Sequence, residues 1–456
     1  MNPKKNTPRR WPWALLVLLI VALAVFLFFR MEGRPPTVTP AMDRTALGAE
    51  QTLEIAVADP KSGIRSVRIA MATEDREVAI LERTFPSAGI WAGGAVRETT
   101  VAVPIHPREL GIADGPAMLR LEVRDYSLRG WGKGNLNLVE TPVRIDTRPP
   151  AIEVLSRQHN VAQGGAGLVV YRLSEPCPVS GVMVDDQFYP GAAGHFEDRT
   201  IHLALFALTH EQGPGTSIHL TATDEAGNEG RAGIPHHINA RRFKRDTLPI
   251  SDGFLDQLMP AFFNQVDVPP GASNFDIFLE VNRKLRVDNN DAIRRIAGRS
   301  DNRIHWQGGF VQLPGAANRA GFADHRTYTY KGRVIDEQYH LGVDLASLAQ
   351  APVPAANAGR VAFADFLGIY GNTVMIDHGM GLFSLYAHLS HMAVAPDQMV
   401  GKGDVIGKTG QTGLAAGDHL HFSILVHHTF VNPLEWWDGQ WVENNIAAKI
   451  AAVAKP

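Results

Sequence analysis

An uninterrupted apolar run of 19 residues, Trp11 to Phe29, restricts the N-terminal part of this chain to one kind of structure. A segment without polar side chains satisfies its own backbone in hydrocarbon only as a helix. At ~1.5 Å per residue it spans about 28 Å, close to the ~30 Å apolar core of a bilayer. Lys4, Lys5, Arg9 and Arg10 precede it, and only Arg30 and Arg34 follow closely. Residues 1–10 therefore read as a basic cytoplasmic tail and 11–29 as a transmembrane helix, with everything from about residue 31 outside the cytoplasmic (inner) membrane. Ala22-Leu23-Ala24 resembles a signal-peptide cleavage site, but the apolar stretch continues for five residues beyond it, so an uncleaved single-pass anchor is expected.

The remaining length suits about three domains. A net charge of -3 provides no basic field, which argues against nucleic acid as a partner. Cys177 is the single cysteine, which excludes an intrachain disulfide and a cysteine zinc site. Any bound metal must be held by His, Asp or Glu.

From Arg34 to about Thr247 short alternating segments are separated by Gly, Pro, Asp and Asn, the pattern of antiparallel strands. Leu53, Ile55 and Val57 alternate with Glu54 and Ala56; Asp59 to Gly63 then supplies a turn before Ile64, Val67 and Ile69. Leu121-Glu122-Val123-Arg124-Asp125 leads to Asp146-Thr147-Arg148-Pro149, and Leu220 to Asp224 leads to Asp246-Thr247-Leu248-Pro249, an offset of one sandwich domain. The expected fold is therefore mainly β, beginning with two tandem β-sandwiches at 36–148 and 149–247 that resemble bacterial immunoglobulin-like (Ig-like) modules. Between 248 and 300 the period lengthens. Ser251 can cap a helix carrying Phe254, Leu255 and Leu258, and Ser273 with Asp276 makes an approximate capping box, so a short helical linker is expected. It either packs on a neighbouring domain or forms a regulatory cover over the active cleft.

The residues that carry chemistry lie between His340 and His421. His340 and Asp344 are an imidazole and a carboxylate four apart, both suited to zinc, but a straight strand would separate them by roughly 13 Å. A bend at Gly342 is required if one ion is to meet both. Strict alternation in Asp418-His419-Leu420-His421-Phe422 turns His419 and His421 to one face of a strand. One could ligate a metal while the other reaches water or substrate. Alternation in Ser384-Leu385-Tyr386-Ala387-His388 puts Ser384, Tyr386 and His388 together on a third polar strand edge.

Taken in order, His340-Leu341-Gly342-Val343-Asp344, Tyr386-Ala387-His388-Leu389 and His419-Leu420-His421 resemble the three motifs of the lysostaphin-type (LytM-like) metalloendopeptidases. Tyr370-Gly371-Asn372, Ile376-Asp377-His378-Gly379, the glycine-rich Gly401 to Gly413 and Val431-Asn432-Pro433 agree with that pattern. The resemblance covers about residues 305 to 437. It implies a C-terminal antiparallel β metallopeptidase domain at 301–437, followed by a tail at 438–456. It also implies Zn2+ bound by His340, Asp344 and His421, with water in the fourth position. His388 and His419 would then act catalytically on that water and on the developing oxyanion. The usual substrate of such enzymes is the peptide part of peptidoglycan, found outside the membrane, where the anchor puts this domain.

His325 is expected at the surface. His378, His391, His427 and His428 are expected in turns or solvent, and Trp436, Trp437 and Trp441 as a cover for the domain edge. Three function classes compete: an active zinc endopeptidase, a catalytically silent relative that regulates another wall hydrolase, and a β-sandwich scaffold. Silent members lose zinc ligands, whereas all five positions are filled here.

Overall fold

A computed structural model describes residues 11–41 and 44–454; the basic tail expected at 1–10 lies outside the described residues. Trp11–Arg30 is one helix of mean hydropathy 2.8 and, among the described residues, the single helix long and apolar enough to cross a membrane. The rest is mainly β, in two compact units. The first runs up to Pro149 and includes Thr223–Glu229; the second comprises Pro150–Ala222 and the chain from Gly230 on.

In the first unit, strands Thr37–Ala41, Gln51–Ala58 and Glu98–Ile105 form an antiparallel sheet in which the central strand pairs with both others. A second sheet has the order Ala46–Leu47, Leu136–Ile145, Gly115–Asp125, Ile64–Ala72, Glu77–Thr84. Leu53, Ile55 and Val57 share one buried core with Val67, Ile69, Met71, Leu119, Leu121 and Val123, so the alternate residues of the two sheets face each other. Each such side chain contributes about 1.5–3 kcal/mol on burial. The turn expected at Asp59 is held by its Oδ1, which accepts from the N–H groups of Lys61, Ser62 and Gly63. Gly63 has φ 77°, a conformation that only glycine adopts without strain.

The second unit joins segments that the sequence separates. Residues from Val161 and Tyr171 through Phe278, Val343 and Phe383 to Trp436 and Ile446 form one continuous core. Strand Arg245–Ile250, expected to end the second sandwich, instead pairs in parallel with His325–Tyr330, which pairs in turn with Arg333–Tyr339. The helical stretch carries both anticipated caps: Ser251 Oγ accepts from Phe254 N at the start of Asp252–Leu258, and Ser273 and Asp276 cap each other's backbone at the start of Asn274–Glu280. In the tail, Ala448–Ala454 is helical and Lys449 Nζ donates to Leu168 O. Trp436 is fully buried against Trp306, Phe310 and Trp441.

Glu435 gives this joint a pH dependence. Its Oε2 accepts from Ala166 N at 3.1 Å, and burial pushes its carboxyl up to about 7. Between pH ~4.5 and ~7 the native state keeps a proton that the unfolded chain has released, so stability falls as pH rises and stays lower above pH 7, by about 3 kcal/mol. Glu435→Gln removes this loss and can still accept from Ala166 N. Its Tm should exceed that of the wild type at pH 8 and match it at pH 4; an equal difference at both pH values would contradict the assignment.

The C-terminal sheet is antiparallel, in the order Ala317–Ala320, Val343–Ala346, Leu420–Val426, Leu382–Leu389, Gly371–Asp377, Gly359–Leu367, Met399–Val400. Its central strands Leu382–Leu389 and Leu420–Val426 are buried along their whole length.

Candidate metal centre

Strand register assembles the site. Asp344 pairs with His421, and His421 pairs with Ala387 on its other side, so these residues point to one face of the sheet. The chain bends at Gly342, between Tyr339 and the strand that begins at Val343, and carries His340 back over Asp344. No larger residue fits at the bend: a Cβ on Gly342 would stand 2.5 Å from Ser423 Oγ and 2.6 Å from His421 Nε2. A close approach of strands is thus what requires this glycine.

The result is a tight triangle. His340 Nε2 lies 2.9 Å from Asp344 Oδ1 and 3.0 Å from His421 Nδ1, and His421 Nδ1 lies 2.9 Å from Asp344 Oδ1. Hydrogen bonds to the far side of each ring fix its tautomer. His340 Nδ1 donates to Gly321 O, which leaves Nε2 with a lone pair. Ser423 Oγ donates to Leu341 O, so it accepts from His421 Nε2 and leaves Nδ1 with a lone pair. Three lone pairs therefore converge with no proton to share among them. A cation bound at ~2.0–2.2 Å to each would hold ligand atoms no more than ~4.4 Å apart, so these residues fit a metal ion. Burial opposes the charge on Asp344, but His340 and His421 outweigh it and hold the carboxyl well below its usual range. Burial also pushes His421 down to about 4.

The two remaining imidazoles reach the site by different routes. His419 lies two residues before His421 on the same face, as alternation predicts, with Nε2 3.7 Å from Asp344 Oδ1. His388 does not follow its strand. Ser384 and Tyr386 pair with Ile424 and Phe422, which places them on the face opposite His421, so the expected polar edge of Ser384, Tyr386 and His388 does not form. Ser384 and Tyr386 are buried, and Ser384 Oγ bonds His378 Nε2. His388 instead has φ 62°, beside a register shift against Gly371–Asp377, and this left-handed turn swings its ring to the metal face. There it stands 4.8 Å from the His419 ring and 5.9 Å from that of His421, with Nδ1 donating to Thr412 O. A non-glycine residue in this region costs roughly 1–3 kcal/mol. Burial pushes His388 down to about 3, so its Nε2 is a free base at neutral pH.

Among the other histidines, His325 is half-buried and faces Glu337 at 3.3 Å. His391 is exposed, and His427 sits in the turn after Leu420–Val426. His378 corrects the expectation of a turn or solvent residue: it is fully buried, donating to Ala358 O and bonding Ser384, and burial pushes it down to about 4. Tertiary structure adds Arg326, which bonds Asp344 Oδ2 at 3.1 Å, and Tyr370, whose ring lies 5.5 Å from His421. Ser423 was detectable in sequence, since it follows His421 by two on the same strand face; Arg326 gave no such signal. The cleft around the five residues is also lined by Phe254, Phe278, Arg286 and Asn290 of the helical segment.

The family model described as Peptidase family M23 matches residues 338–433, which contain every motif of the site. Residues 338–433 are an M23 peptidase domain. The chain is similar to the DD-carboxypeptidase/endopeptidase Mpg of Neisseria meningitidis serogroup B, 42% identical over 95 residues that cover 21% of this chain and 22% of that protein. The peptidoglycan DD-endopeptidase ShyB of Vibrio cholerae is 33% identical over 116 residues, 25% of this chain and 26% of its own. The chain thus spans about a quarter or less of the curated relatives it matches. The catalytic domain of the antimicrobial peptidase lysostaphin from Staphylococcus simulans is 26% identical, with coverage of 29% of this chain and 98% of that domain and a TM-score of 0.25. The cleft is completed here by residues outside 338–433, among them Phe254, Phe278 and Arg326.

Proposed function

We propose that this chain is a zinc-dependent endopeptidase that hydrolyses peptide cross-links of peptidoglycan outside the cytoplasmic membrane. The observation that carries this reading is the convergence of lone pairs from His340, Asp344 and His421 beside two further imidazoles. Two imidazoles and one carboxylate suit zinc and leave a position open, as catalytic zinc sites do. Zinc held by these residues supplies Lewis acidity, which lowers the pKa of water from 15.7 toward about 7 and polarises an amide carbonyl.

The chain's own residues do the rest. His388 Nδ1 donates to Thr412 O and His419 Nδ1 to Gly417 O, so each ring is oriented and keeps Nε2 for the reaction. With Nε2 unprotonated, either ring can take the proton of the attacking water and return it to the leaving amine, and the ring that holds that proton on Nε2 can donate it to the oxyanion of the tetrahedral intermediate in the meantime. Phe254, Phe278 and Tyr370 give the cleft apolar walls that limit water around an extended peptide. Relatives named peptidoglycan endopeptidases and an apolar helix at Trp11–Arg30 support the substrate and the compartment independently.

Purified peptidoglycan should be digested by residues 31–456 loaded with zinc, with mass analysis of the fragments identifying the bond. Intact peptidoglycan after prolonged incubation would reject the reading. The orientation has its own test: with Lys4, Lys5, Arg9 and Arg10 inside, protease added to spheroplasts should digest everything after about residue 31. A protected C-terminal domain would reverse the topology.

A further inference from the structure

Three carboxylates meet in the first unit, far from the peptidase motifs in sequence. Glu32 lies two residues past the apolar helix, Asp59 follows strand Gln51–Ala58, and Asp125 ends strand Gly115–Asp125. One oxygen from each can be chosen so that all lie within 4.8 Å of one another. Asp59 and Asp125 are buried, and the Glu32 side chain is 8% exposed.

Their hydrogen bonds leave oxygens over. Asp59 Oδ1 takes the three N–H groups of its turn, but Asp59 Oδ2 has no hydrogen-bond partner among the described residues, and neither has Glu32 Oε2. Asp125 Oδ1 accepts from Ser127 N and Asn135 N, and Oδ2 from Asn135 Nδ2. Compensating charge is weak: Lys61 Nζ stands 3.9 Å from Glu32 Oε2 on a side chain 65% exposed. Arg30 is committed to the carbonyls of Ile90 and Tyr126. Burial and the neighbouring Asp59 push Glu32 up, and burial pushes Asp125 up against its hydrogen bonds. Unpartnered oxygens on two carboxylates that cluster with a third, in a buried setting, ask for a cation.

We propose that Glu32, Asp59 and Asp125 bind one calcium ion. Every donor is a hard oxygen, which disfavours zinc, and calcium at 2.3–2.6 Å accommodates oxygens up to ~5 Å apart in irregular geometry, whereas magnesium demands a near-ideal octahedron. The ion fastens the segment that follows the apolar helix to two strand ends of the first unit. Extracellular calcium modules bind with Kd ~10⁻⁴–10⁻³ M, and an affinity of that order is expected.

The test uses the full chain in detergent, with zinc retained and calcium removed, titrated with calcium chloride while Tm and binding heat are followed. Calcium should bind at about one per chain and raise Tm, and Asp59→Asn and Glu32→Gln should each weaken binding at least ~10-fold. Glu32→Gln also separates metal binding from folding, because Glu32 accepts no backbone hydrogen bond through its side chain. Without calcium its Tm should equal or exceed that of the wild type, since a repelled charge is gone; with calcium it should fall below. No calcium response in the wild type, an unchanged response in Glu32→Gln, a lower Tm of Glu32→Gln without calcium, or an equal response to magnesium would each overturn the proposal. Zinc content should be the same in all variants, so the outcome stands apart from that at the peptidase site.

Discussion

His340→Ala should reduce bound zinc from about one per chain to near zero and abolish digestion of peptidoglycan. The remaining Asp344 and His421 are two ligands, which hold zinc poorly, and the lost ring also leaves Gly321 O without its donor. His340 lies at a chain bend outside the sheet's hydrogen-bond ladder, so the domain should still fold, with circular dichroism as the check. Equal zinc content in the variant and the wild type, measured by elemental analysis on folded protein, would reject His340, Asp344 and His421 as the binding set.

His388→Ala should behave oppositely with respect to metal. His388 touches none of the three converging atoms; its ring faces His419 and His421 from the left-handed turn at the strand end. Zinc should stay, and kcat should fall by about 10²- to 10⁴-fold, the usual loss of a general acid or base and about 3–5 kcal/mol of transition-state stabilisation. His419→Ala should give a loss of the same kind. The physiological reading follows from restoring a deletion strain with each variant. A zinc-loaded His388→Ala protein that cannot digest peptidoglycan yet restores the strain fully would exclude hydrolysis as the function, and a regulatory role would take its place.

Much of this site was legible because short-range patterns act through local geometry. His419 and His421 share a face because a strand has a period of two, and Ser251 and Ser273 start helices because a hydroxyl satisfies the free N–H groups of a first turn. The bend at Gly342 followed from requiring His340 and Asp344 to meet. His388 was different. Alternation assigned it to the face of Tyr386, and only a register shift and a positive φ, which have no signature in Ser384 to Leu389, turn it toward His419 and His421. His378 was misread for a related reason: a histidine next to glycine resembles a turn residue until Ala358 O and Ser384 Oγ close around it.

The sequence by itself determined the apolar helix, the predominance of β structure, and which five side chains to look for at the candidate site. The first two depend on composition and on spacings of a few residues, where one element's geometry suffices; the five side chains were named by the resemblance of three ordered motifs to lysostaphin-type metalloendopeptidases. Tertiary structure alone decided that 150–222 and the M23 domain share one core, that Arg326 bonds Asp344, and that Glu32, Asp59 and Asp125 meet. Such contacts join residues tens to hundreds of positions apart. They are set by strand register and by the closing of sheets on one another, and no local pattern encodes them.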